Sequence, residues 1–245
     1  MDRRPAVRRV ERVRHELRRR AVSVRRVEAP SPGFASVTFG SDELADFVSL
    51  SFDDHVKFIF EDERGETVMR DYTPRRFDRE RRELTIEFAL HGHGRADRWA
   101  AQARPGQHAT LGGPRGSMII PIDYDWHLLA GDSSALPAIR RRLEELPAGA
   151  RAMVRVQAAP SDRVPLATAA ALDLQWVDSA QELHEAVRAL VLPPGDGFAW
   201  CAGEAAAMAR MRRMLLDEKA HPREAMRVAA YWKPGAAHHH ENLDD

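Results

Sequence analysis

A chain of 245 residues is long enough for two ordinary domains and a substantial buried core. Lysine plus arginine and aspartate plus glutamate both total 37, so the formal net charge is zero, which speaks against whole-surface binding to nucleic acid or an acidic membrane. The single cysteine, Cys201, excludes a disulfide framework and a cysteine zinc cluster, and no run of about 18 apolar residues reads as a membrane span.

Residues 1–20 carry Arg3, Arg4, Arg8, Arg9, Arg12, Arg14, Arg18, Arg19 and Arg20, with Val10, Val13 and Leu17 spaced along one helical face. A solvated N-terminal helix docked on that stripe is predicted, with an arm for nucleic acid or a partner as the alternative. The segment lacks the apolar core of a secretory signal, so a cytoplasmic location is expected. Next come β signals: Val22, Val24 and Val27, then Phe34, Val37 and Phe39 after Pro30, Pro32 and Gly33. Val56, Phe58 and Phe60 alternate along another run, as do Leu84, Ile86, Phe88 and Leu90, with a turn at Asp62-Glu63-Arg64-Gly65. Short alternating strands in succession predict a small antiparallel barrel.

The rhythm changes near Asp123. The apolar run Leu128-Leu129-Ala130 stops at Gly131, and a helix follows with Leu136, Ile139, Leu143 and Leu146 on one face and Pro137 in its first turn. Strands are predicted at Met153–Val156, Leu174–Val177, Phe198–Ala202 and Val228–Trp232. Between them lie a helix with a Ser179/Glu182 capping box and one from about Glu204 to Lys219. Alternating strands and helices imply a parallel sheet covered on both faces. The predicted organisation is an antiparallel β-barrel domain over residues 1–122, including the arginine-rich segment, an α/β domain over 123–235, and a polar tail over 236–245.

Open α/β sheets bind ligands beyond the carboxyl ends of their strands. Gly131-Asp132-Ser133-Ser134 and Gly203-Glu204 sit there, each glycine where the chain turns into a helix. Free backbone N–H groups at such turns can meet phosphates, but the spacing leaves nucleotide binding and simple helix capping equally open. In the barrel half, Arg70-Asp71-Tyr72-Thr73-Pro74-Arg75 offers a phosphate-binding guanidinium and a ring on the same strand face, or is a plain exposed charged strand. His91-Gly92-His93-Gly94-Arg95-Ala96 precedes a helix and can cradle a pyrophosphate. Its His-x-His spacing lacks a nearby third metal ligand, so no metal site is expected. Gly112-Gly113-Pro114-Arg115-Gly116-Ser117 is a further glycine-rich turn with a basic residue.

In this order, Arg70-x-Tyr72-Thr73-Pro74, the His91-Gly92-x-Gly94 loop before Trp99-Ala100, Gly113-Pro114-Arg115-Gly116-Ser117, Gly131-Asp132-x-x-Ala135-Leu136-Pro137-Ala138, Ala202-Gly203-Glu204 and Tyr231-Trp232-Lys233-x-Gly235 resemble the siderophore-interacting proteins. These are FAD-dependent ferric-siderophore reductases of the ferredoxin-reductase-like class. The resemblance implies that the barrel binds FAD and the α/β domain NADPH or NADH. Arg70 would contact FAD phosphate, Tyr72 would stack on the isoalloxazine ring, and Thr73 would bond near its reactive edge. His91, Gly92, Gly94, Arg95 and Ala96 would hold the pyrophosphate, and Gly113 and Ser117 would belong to the cofactor site. Gly131, Asp132, Ser133, Ser134, Gly203 and Glu204 would receive the nicotinamide dinucleotide. Lys57, Arg115 and Lys233 would bind the anionic ferric siderophore.

This chain departs from the family's pattern in three places. Lys233 stands where arginine is common and lacks its bidentate fork. Arg95 stands where proline is common, and Ser133-Ser134 replace a Glu-Thr pair. The implied chemistry needs no acid–base catalyst from the protein, since the flavin converts a two-electron donor into single electrons for Fe(III). A ferredoxin-type donor, another acceptor, or a non-enzymatic siderophore carrier are the alternatives. Neither nucleic acid nor membrane is expected as a partner.

Overall fold

The computed structural model describes residues 10–92, 94–235 and 241–242. Arg3, Arg4, Arg8, Arg9 and His93 lie outside the described residues, as does the rest of the stretch from Ala236.

Apolar alternation builds the first half. The strands β2 (Arg19–Ser31), β3 (Phe34–Gly40), β4 (Val56–Glu61), β5 (Thr67–Tyr72), β6 (Arg76–Asp78), β7 (Glu83–Ala89) and β8 (His108–Gly112) form one antiparallel sheet in the order β5-β4-β8-β2-β3-β7-β6. It curls until β5 lies against β7. Val24, Phe39, Phe58, Ile86, Phe88 and Leu111 point into a single core and are almost wholly buried. Helix α1 (Arg95–Ala101) plugs this core with Trp99, whose ring centroid is 4.7 Å from that of Phe58 and 6.0 Å from that of Phe88. Truncating an aromatic in such packing costs about 3–5 kcal/mol. Trp99 therefore holds α1, and the loop before it, in one place.

Here the N-terminal expectation fails. Residues 11–14 are not helical: they form β1 (Glu11–Arg14), antiparallel to β9 (Gly116–Ile119). Glycine at 116 permits this, because a Cβ there would lie 2.5 Å from the Val13 carbonyl oxygen. Leu17, assigned to the apolar stripe, is exposed. Arg20 is buried and bonds to Asp46 at 2.8 Å, and Arg18 pairs with Glu16 and Asp46. Asp46 lies in a turn remote in sequence, which helical periodicity cannot reveal.

In the second half β10 (Trp126–Asp132), β11 (Arg151–Gln157), β12 (Ala171–Val177), β13 (Gly197–Glu204) and β14 (Met226–Trp232) form a parallel sheet in the order β12-β11-β10-β13-β14. β10 is buried along its whole length and β13 along nearly all of it, as unbroken apolar strands in a two-faced sheet are. Leu128, Ala130, Ala199 and Cys201 pack on α3 (Ala180–Ala189) and α4 (Ala205–Asp217). Leu129, Trp200 and Ala202 pack on α2 (Leu136–Glu145) together with Phe34 and Phe52 of the first half. Cys201 is thus a core residue, and burial pushes its thiol up to about 12. Of the stretch read as a polar tail, Glu241–Asn242 forms β15, antiparallel to Ala229–Ala230 of β14.

Polar side chains fasten the two halves. Asp53 accepts from Trp200 Nε1 at 2.8 Å and pairs with Arg227. Arg75 donates to both oxygens of Glu144, at 2.9 and 2.5 Å. Arg141 of α2 donates to Ser49 Oγ at 2.8 Å and to the Pro74 carbonyl at 2.9 Å. The strand order reverses between β10 and β13, and the crevice beyond their carboxyl ends faces the barrel half.

Candidate functional site

A cleft opens along that seam. From the barrel half it is lined by His55 and Lys57 at the start of β4, Arg70 to Thr73 at the end of β5, Glu87 and Ala89 of β7, His91, and Gly94 to Asp97 at the start of α1. Ser134, Pro137, Tyr231 and Trp232 line it from the α/β half.

Tyr72 lies 4.4 Å from Phe88 between ring centroids and lines the cleft. Burial, with Asp97 nearby, raises its hydroxyl pKa. Tyr231 is hydrogen-bonded to Thr73, so the two halves meet through side chains at the cleft floor. Lys57 and Asp71 are direct cross-strand partners on β4 and β5, and their side chains pair at 2.7 Å. Arg70 Nη1 donates to the Met69 carbonyl at 2.8 Å. Two residues of the lining, Asp71 and Glu87, each keep one oxygen, Oδ1 and Oε2, closed to solvent and without a hydrogen-bond partner.

The glycine loops differ from the simple cradle picture. Asp97 Oδ2 accepts from the backbone N–H groups of His91 at 2.9 Å and Gly94 at 3.3 Å, tying the loop to α1. Gly92 takes φ +80°, which favours glycine at this turn. Arg95 bonds to Asp62 and, at 2.6 Å, to Glu66, so this departure from the family pattern clamps α1 to the β4–β5 hairpin. In the α/β half, Asp132 Oδ1 accepts from Ser134 N at 2.9 Å and Ser134 Oγ at 2.5 Å. Asp132 Oδ2 accepts from Glu204 N and Trp232 Nε1, both at 2.9 Å. The Glu204 carboxylate caps α4 through Ala206 N and Ala207 N, both at 2.9 Å. Of the N–H groups at these two turns, those of Ser134, Glu204, Ala206 and Ala207 are thus engaged by carboxylates of the chain itself. Gly131 serves packing: a Cβ there would lie 2.3 Å from the Ala202 carbonyl oxygen.

The structure therefore brings Lys57, Arg70, Tyr72, Thr73, His91, Gly94, Arg95, Ala96 and Ser134 to one cleft. Asp132 reaches it through its bond to Trp232, and exposed Lys233 follows Trp232. Ser133 opens the short turn before α2. Gly113 and Ser117 do not line it. Gly113 precedes Pro114 in a turn under the N-terminal strand, where its N–H donates to the Arg18 carbonyl at 2.9 Å. Ser117 is buried, donating to Asp54 Oδ2 at 2.7 Å and hydrogen-bonded to His15 at 2.9 Å. Arg115 is exposed at the same turn. Sequence reasoning did not assign His55, Asp71, Glu87, Ala89, Asp97, Pro137, Tyr231 or Trp232 to the site. Tyr231-Trp232 was visible as a motif; an acid such as Glu87 on the outward face of a strand carries no signal until a second layer covers it.

Residues 124–235 match the family model for siderophore-interacting protein, and residues 23–68 and 61–118 match that for the siderophore-interacting FAD-binding domain. The chain is 36% identical to an NADPH-dependent ferric-chelate reductase of Escherichia coli, over 91% of this chain and 96% of that one. A siderophore utilization protein from T. fusca superposes with a TM-score of 0.86 at 31% identity, covering 94% of this chain and 99% of the other. A ferredoxin reductase of carbazole 1,9a-dioxygenase shares the fold, with a TM-score of 0.64 at 21% identity over 93% of this chain and 71% of that one.

Proposed function

The chain belongs to the siderophore-interacting protein family, and from that premise we propose that it is an FAD-dependent reductase that moves electrons from NADPH or NADH to ferric iron held in a siderophore. The observation that carries this reading is the shared cleft, where Tyr72 and Thr73 of the FAD-binding half face Ser134, Tyr231 and Trp232 of the other. With the Tyr72 ring and the Arg70 guanidinium in its lining, the cleft fits FAD, whose ring is flat and whose phosphates are anionic.

Bound FAD supplies the conversion of a two-electron donor into single electrons for Fe(III), and Fe(II) is then held less tightly by hard oxygen donors. The chain's residues position the reactants. Arg70, with the loop before α1, would hold the FAD phosphates, Tyr72 would cover one ring face, and Thr73, hydrogen-bonded to Tyr231, would meet the ring edge. Residues up to 122 form the flavin half in this reading, and residues 123–235 receive the donor. Lys57 in the cleft and Lys233 beside Trp232 attract an anionic ferric siderophore. Among the described residues no helix is long and apolar enough to cross a membrane.

A second reading concerns the donor. Asp132 and Glu204 already engage the N–H groups of the two switch-point loops, which favours a donor that needs no phosphate there, such as a ferredoxin-type protein. One experiment separates these readings. The protein is loaded with FAD and mixed anaerobically with NADPH, NADH or reduced ferredoxin, then with a ferric siderophore and an Fe(II) chelator. Flavin bands that bleach and recover as Fe(II) forms support the reductase, and the donor that bleaches them is identified. Failure to bind FAD would overturn the reading.

A further inference from the structure

Strand alternation on β5 separates three neighbours. Arg70 and Tyr72 share one face, and Asp71 between them takes the other. Directly across from Asp71 stands Lys57 of β4, whose own neighbours Val56 and Phe58 are buried in the barrel core. Both residues line the cleft, and Lys57 Nζ donates to Asp71 Oδ2 at 2.7 Å. The lysine side chain is 44% exposed and the aspartate 18%, so the carboxylate is the seated partner and the lysine the one that meets solvent. Histidines apart, the charges of the lining balance: Lys57, Arg70 and Arg95 stand against Asp71, Glu87 and Asp97. Arg95 is moreover engaged by Asp62 and Glu66. The cleft is therefore no basic trap, and its lysine carries a counter-charge of its own.

From this pairing we infer that Asp71 sets the charge of the ferric siderophore that the cleft accepts. It compensates Lys57 and shifts selection from trianionic triscatecholates towards complexes of little or no net charge, such as neutral trishydroxamates; this rests on the siderophore reading above. Attraction to a lysine scales with the charge of the ligand, so an uncompensated Lys57 would favour a trianion over a neutral complex of similar size. A carboxylate in contact with the ammonium cancels most of that field a few ångströms away. The same contact restrains the ammonium, which must leave Asp71 before it can donate to a ligand oxygen. The phosphates of bound FAD add negative charge of the same sign as Asp71. A neutral complex feels little net pull or push from these groups, and its binding depends on shape and hydrogen bonds.

The test uses FAD-loaded protein and the Ga(III) complexes of a triscatecholate and a trishydroxamate, with binding read from the perturbed flavin fluorescence. Ga(III) has the charge and nearly the size of Fe(III) but is not reduced by the flavin, so affinity is measured without electron transfer. At low salt Asp71→Asn is expected to tighten the trianionic complex about threefold to tenfold, the range for three charges relieved of one about 10 Å away in a water-like medium. The neutral complex is expected to shift by less than about twofold on the same argument. High salt should shrink the difference. Asp71→Ser, a second neutral replacement, is expected to behave alike. In a Lys57→Ala background the gain should be smaller, because no ammonium is left to release. Equal shifts for the two complexes, a gain undiminished by salt, or an equal gain without Lys57 would overturn the role of Asp71 and leave the siderophore reading standing. An FAD-loaded wild type that binds neither complex overturns that reading as well.

Discussion

His91 and Trp232 face each other across the cleft with ring centroids 6.4 Å apart and planes 28° from parallel. One comes from the loop before α1, the other from the end of β14, and the Trp232 indole is tethered to Asp132. The pair narrows the mouth where a donor from the α/β half must approach the flavin half.

Trp232→Ala removes both the stack and the tether. A nicotinamide donor then displaces less structure on entering, and its KM is expected to fall by up to about tenfold, the equivalent of about 1.4 kcal/mol. Steady-state kinetics with NADPH and a fixed ferric siderophore checks this. An unchanged or increased KM would show that Trp232 does not stand in the donor's path.

Lys57 lines the cleft, whereas Arg115 lies outside its lining. Lys57→Ala is therefore expected to raise the KM for an anionic ferric siderophore several-fold, and Arg115→Ala to have the smaller effect. The Lys57 effect is expected to shrink at high salt, where charge attraction is screened. Equal effects of the two variants would contradict the geometry.

Asp53 joins the halves from a site where its side chain is 3% exposed, bonding Trp200 and pairing with Arg227. Asp53→Ala leaves a buried guanidinium without this counter-charge and is expected to destabilise the fold by about 3–5 kcal/mol. Thermal unfolding should show a Tm lower by roughly 10 °C. A Tm within a degree or two of wild type would refute this role.

His127 is buried beneath α2, and burial, with the nearby Arg142 charge, lowers its pKa to about 4. Burial lowers that of His221 as well. Below the ordinary histidine value near 6.5, the unfolded chain binds protons that the folded chain refuses. The stability from His127 is thus full above about 6.5 and is lost as pH falls to about 4, by about 3 kcal/mol at most. Denaturant melts across pH 4–7 are expected to show this loss, and His127→Gln to flatten part of it. A wild-type curve flat over that window would count against a neutral buried His127.

Much of the fold was legible because local physics repeats along an element. Val56, Phe58 and Phe60 on β4, or Leu136, Ile139 and Leu143 on α2, announce their strand or helix by period. The same logic misread Val10, Val13 and Leu17. Their helical spacing was outweighed by the edge that Gly116 leaves open to β1, a partner remote in the chain. The resemblance located Arg70, Tyr72, Thr73 and the His91 loop within the cleft, yet also assigned Ser117, which Asp54 and His15 hold away from its lining.

Period, turn chemistry and ordered motifs were thus enough for the two-part architecture, the family and the flavin. The packing of α2 and β14 against the barrel decided the rest. It buried Glu87 beneath α2 and placed Trp232 opposite His91. Burial and partnership depend on which surfaces meet, and no periodicity within one element encodes that.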